Sequence, residues 1–89
     1  MARTLLIANE VALQTSAANG TSVSSATVVR LFNGAGGIAT VSMASTVGAA
    51  DTVSFTMPQN HVEFLEKPAS YVIWASDTAV KATKVGFTG

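Results

Sequence analysis

The stretch "VEFLEKPASYVIWAS", Val62–Ser76, decides the fold. Glu63, Glu66 and Lys67 lie between apolar residues, and the run reads as a strand. Pro68 cannot donate to a ladder, so it ends that strand. In "YVIWA", Tyr71–Ala75, the residues of both parities are apolar. Tyr71, Ile73 and Ala75 share one face, and Val72 and Trp74 the other. A strand of this kind is covered on both sides, whether by a loop, by a terminal segment or by another chain.

Working outward, Val, Thr, Ile, Phe and Tyr dominate and turn residues recur at short intervals. Strands are expected near Thr4–Ala8, Thr21–Phe32, Ile38–Ala44, Thr52–Met57, Val62–Lys67, Tyr71–Ala75 and Val80–Phe87. "AANG" (Ala17–Gly20) and "NGAGG" (Asn33–Gly37) supply residues that tolerate positive φ and read as hairpin turns. "MPQN" (Met57–Asn60) reads as a tight turn, and "ASD" (Ala75–Asp77) as the turn into the last strand. Glu10–Ala18 has room for one helical turn. In "DTVSFTM", Val53, Phe55 and Met57 share the buried face; "IATVSMA" places Ala39, Val41 and Met43 together, opposite Ile38, Thr40 and Ser42. "TLLIA" repeats the doubly apolar pattern of "YVIWA". The fold class is therefore all-β, a small antiparallel β-sandwich or barrel of about seven short strands, in a single domain spanning 1–89.

Composition narrows the function. The chain has 89 residues and no cysteine, so neither a disulfide nor a thiolate metal site is available. One histidine does not make a zinc cluster. Charged residues are 11% against about 25% in ordinary domains, and the formal net charge is zero. Such a surface offers no field for nucleic acid or an anionic membrane. A domain of this size buries only roughly 60–65% of its unfolded surface, so partners are the remaining route to stability. The apolar run Leu5–Ala8 is too short for a signal peptide or a membrane span, and the expected place of synthesis is the cytoplasm.

The search for chemistry finds little. His61 and Glu63 are neighbours by strand alternation; an acid–base pair is one reading and two solvated residues on a strand's outer face the plainer one. The many serines match no nucleophile motif. "NGAGG" lacks the Lys-Ser/Thr of a phosphate loop. Trp74 with Tyr71 would suit a sugar platform, but their opposite parity argues against it. No catalytic, cofactor or metal residue is expected.

"VEFLEKPASYVIWASDTAVKATKVGFTG", with its "EKP", its strand ending in "AS" and its closing "VKATKVGF", resembles the ending of small virion proteins of tailed bacteriophages, especially marine phages and cyanophages. "RTLLIANEVALQTSAANGTSVSSATVVRL" resembles their beginning. The resemblance implies a structural, non-enzymatic virion protein without cofactor. It points to a capsid cement or decoration protein that bridges major capsid protein subunits and assembles as a homo-oligomer, a trimer being one form. A tail, neck or fibre-associated module, or a carbohydrate-binding host-recognition module, is the alternative; an enzyme ranks below both. The residues expected to meet a partner are Leu5, Leu6, Ile7, Tyr71, Ile73, Val85 and Phe87, within terminal segments Ala2–Ala8 and Val80–Gly89.

Overall fold

In the computed structural model, residues 3–88 are described, and they form eight strands. These are β1 (Arg3–Leu6), β2 (Val11–Ala12), β3 (Val28–Asn33), β4 (Ala39–Ala44), β5 (Val53–Met57), β6 (Val62–Glu66), β7 (Val72–Ala75) and β8 (Val80–Thr88). Every pairing is antiparallel. The larger sheet runs β1-β8-β3-β6, with β2 also on β8; the smaller runs β5-β4-β7. Leu13, Val29, Leu31, Val80 and Ala82 from one sheet meet Ala39, Val41, Met57, Ile73 and Ala75 from the other in a shared core. The fold is an all-β sandwich.

Alternation places these residues. In β3, Val29, Leu31 and Asn33 are buried while their neighbours are half-exposed. In β4, Ala39 and Val41 are buried and the intervening Thr40 and Ser42 are not. Strand β7 is covered on both sides, as "YVIWA" requires. Ile73 and Ala75 lie in the core. Val72 and Trp74 face outward, under the chain's own segment Ala17–Gly20. A Cβ on Gly20 would come within 3.0 Å of Val72 and 3.3 Å of Trp74, so a larger residue there would have to push these side chains aside by a few tenths of an ångström.

Three expectations are corrected. The strand expected over Thr21–Phe32 begins only at Val28, because Val23, Ser24 and Ser25 all adopt positive φ (54°, 56° and 57°). The one helical turn for which Glu10–Ala18 has room is a 3₁₀ turn shifted to Ala17–Asn19 and capped by the Ser16 hydroxyl, and the short strand β2 takes the start of the stretch. "AANG" and "NGAGG" do not close hairpins: the first lies across the edge of β7, and the second carries the chain from β3 to β4 in the opposite sheet. Gly20 has φ −56°. The "MPQN" turn holds, with Asn60 at φ 62° and the His61 N–H donating to Pro58 O.

Two buried polar side chains tie down opposite ends of β6. At one end Asn33 Nδ2 donates to the carbonyls of Gly37, Met57 and Pro58, at 2.9–3.1 Å, and Oδ1 accepts from the Ala35 N–H. At the other, Lys67 Nζ donates to the carbonyls of Pro68, Ala69 and Tyr71, the last at 2.8 Å. Among the described residues no buried side-chain nitrogen or oxygen lacks a partner, as a stable interior requires.

Candidate functional site: an apolar terminal ribbon

Strand β8 outruns its neighbour. β3 pairs with it from Val80 to Lys84, and beyond that β8 is paired by β1, Leu6 opposite Val85 through Arg3 opposite Thr88. The result is a two-stranded ribbon at one end of the larger sheet. All four β1 residues are exposed.

Both ribbon faces carry exposed apolar residues, with Arg3 at the outer end of one of them. Register puts Thr4, Leu6, Val85 and Phe87 on one face and Leu5 and Gly86 on the other. Ile7 sits beside Gly86, with Cδ1 3.4 Å from where a glycine Cβ would be. Leu6 is 70% exposed, Ile7 52%, and Leu5 and Phe87 50% each. Phe87 packs on Phe64 of β6 with ring centroids 5.4 Å apart, tilted by 58°. This joins the ribbon's outer face to the outer face of the larger sheet. At the ribbon's base lies a groove of about 540 Å³ lined by Thr4, Leu6, Ala8, Asn9, Glu10, Arg30 and Thr83.

The expected partner residues therefore divide. Leu5, Leu6, Ile7 and Phe87 are brought together on the ribbon. Ile73, wholly buried in the core, and Val85, 3% exposed, have no surface to offer, so their expected place at an interface is corrected. Tyr71 lies just before β7 and is half-buried. Ala2 and Gly89, at the outer ends of the two terminal segments, lie outside the described residues. Phe64 was missed: the alternation of "VEFLE" places Val62, Phe64 and Glu66 together, but only the fold shows that Phe87 lies beside them.

The remaining polar features offer little chemistry. His61 Nε2 and Glu63 Oε2 are 3.8 Å apart, each side chain about half exposed. Glu63 is registered with Leu31, on the core side of its sheet at the edge, and not on the outer face expected for it. Arg30 and Glu10 form an exposed pair at 3.9 Å, of a kind worth about 0.2–1 kcal/mol. The Ser45 hydroxyl and amide hold the Asp51 carboxyl below the usual carboxylate range. Burial pushes the Lys67 ammonium below the usual lysine range. Among the described residues no three His, Asp or Glu side chains gather as a metal site. No helix among them is long and apolar enough to cross a membrane. Trp74 borders a shallow recess of about 220 Å³ with Thr15, Thr40, Ser42 and Ser76.

Comparison with protein-family models, curated proteins and solved structures finds no match for this chain.

Proposed function

We propose that the protein is a non-enzymatic structural protein of a tailed-phage virion, a capsid cement protein that bridges major capsid protein subunits through its terminal ribbon. One observation carries the bridging role: a two-stranded ribbon with apolar residues on both faces. Such a ribbon is marginal in water by itself, and it gains most when a partner covers it. Fully covering a Leu- or Phe-sized side chain stabilises by about 1.5–3 kcal/mol, so Leu5, Leu6, Ile7 and Phe87 together suffice to drive docking. Two faces suit contact with two neighbours. The assignment to a virion rests on the sequence resemblance alone.

The test is to strip particles of this protein and add it back from low to roughly molar salt, scoring binding and heat resistance. Apolar docking is expected to persist across that range, unlike charge-driven association. Rebinding that collapses at moderate salt overturns the apolar contact, and rebinding without gain in heat resistance overturns the cement role. The Trp74 recess favours a second reading, a carbohydrate-binding module. It has one aromatic ring ringed by hydroxyls, and binding to a glycan array that is lost in Trp74→Ala would support it.

A further inference from the structure

We propose that β5 is the edge through which two copies of this chain pair, antiparallel about a twofold axis near Phe55, joining two three-stranded sheets into one of six. An open sheet edge templates pairing with another strand, and proteins blunt such edges by covering, bulging or charging them. Three of this sandwich's four edges are treated in these ways. The β7 edge is covered by residues 14–21, through the Thr21–Ile73 bridge and the Ala75 N–H to Gln14 O bond. The β1/β2 edge is bulged. Four residues separate Leu6 from Val11 where only two separate their partners Val85 and Ala82. The β6 edge is charged by Glu66 and by Glu63, which sits on the core side of the sheet.

The β5 edge has none of these. "VSFTM" carries no charge and no proline, and it pairs with β4 in unbroken register from Val53 to Met57. The nearest acid, Asp51, is turned to the Ser45 N–H at 3.2 Å. Val53 is registered with Met43 on the core side, yet is 60% exposed because nothing lies over the sheet there. Phe55 is half-buried beside it.

The strand fits its own copy. An antiparallel mate centred on Phe55 sets Ser54 of one copy opposite Thr56 of the other, hydroxyl to hydroxyl, and Val53 opposite Met57, apolar to apolar. Having no charge, the edge meets no like-charge repulsion in self-pairing, whereas β6 against itself would bring Glu63 and Glu66 toward their own copies. Six strands lie within the usual range of sheet sizes. The contact is isologous and closed, so it gives a dimer and not a trimer. It needs only backbone bonds and the covered side chains, and does not rest on the capsid reading.

Sedimentation equilibrium of the isolated protein tests it. The wild type is expected to be a dimer, and Val53→Lys a monomer or a dimer at least tenfold weaker, with an unchanged circular dichroism spectrum. Leu6→Lys, on the ribbon, is expected to remain dimeric. Because the chain has no cysteine, mixing Ser54→Cys with Thr56→Cys protein under mild oxidation is expected to yield a disulfide-linked heterodimer, which reports on the edge even if Val53→Lys fails to fold. A wild-type monomer at millimolar concentration, an oligomer that Leu6→Lys dissociates while Val53→Lys does not, a trimer, or absence of the heterodimer overturns the pairing.

Discussion

Val23, Ser24 and Ser25 form a left-handed turn without a glycine, which costs L-residues roughly 1–2 kcal/mol each. The turn persists because the neighbourhood fixes it. Val23 is buried in the core, the Ala26 N–H donates back to Ser22 and Val23 carbonyls, and Lys84 Nζ donates to Ser24 O at 2.9 Å. Ser24→Gly and Ser25→Gly, at exposed positions, are each expected to stabilise by about 0.5–1 kcal/mol, since part of the relief is offset by the entropy of glycine in the unfolded chain. Thermal melting checks this, with a rise of a few degrees expected for each. Nothing in "TSVSSAT" announces the turn, because residues that favour positive φ are absent from it; the signal lies in long-range contacts. The Asn33 amide makes a second prediction. Asn33→Asp sets a carboxylate against three carbonyl oxygens, which raises its folded pKa. The folded state then holds more protons than the unfolded one, so stability falls as pH rises from about 3.9 through the raised value and stays low above it. Denaturant melts across the acid range would show it. For Lys67 the sign is opposite. Its folded pKa is lowered, so the unfolded state holds more protons between that value and 10.5, and stability rises with pH there. Lys67→Met is expected to lack this alkaline slope and to be less stable by about 1–3 kcal/mol, because three carbonyls lose their donor.

Among the elements, strands were easier to read than their connections. All seven expected strands correspond to observed ones, since alternation and turn residues report local burial directly. β2, two residues long, was too short to leave a period. The glycine-rich segments were misassigned because a turn signal says that the chain bends, not which sheet the next strand joins. The doubly apolar strands show the same limit. "YVIWA" proved to be covered by the chain itself and "TLLIA" largely not, a difference set by where the Ala17–Gly20 segment lies. The ribbon yields a prediction at this scale. Leu6→Asp with Phe87→Asp is expected to keep the sandwich intact, because both side chains are at least half exposed, and to lower binding to stripped particles by at least tenfold. His61→Ala with Glu63→Ala is expected to leave that binding within about twofold. Pelleting with stripped heads measures both.

At the scale of the molecule, from β3 onward nearly every connection leaves one sheet for the other: β3 to β4, β5 to β6, β6 to β7 and β7 to β8 all cross, and only β4 and β5 are consecutive strands that pair with each other. β8, the central strand of the larger sheet, holds β1 and β2 on one side and β3 on the other, partners far away in the chain. Crossing suits packing, since each crossing loop closes an end of the core, and it also sets a clock. Loops must close before the distant pairings they permit can offset their entropy, so chains of this topology refold in roughly milliseconds to seconds. The local β4–β5 pairing is the natural nucleus, and the larger sheet must wait for β8. Stopped-flow refolding would separate the two. Val41→Ala in β4 is expected mainly to slow folding, and Ala82→Gly in β8 mainly to speed unfolding. During that wait β3 has open backbone on the side later covered by β8, and β6 is open on the side that stays an edge. Yield on refolding is therefore expected to fall as concentration rises, and the same charges that guard β6 in the finished sandwich protect it while the sheet is still incomplete.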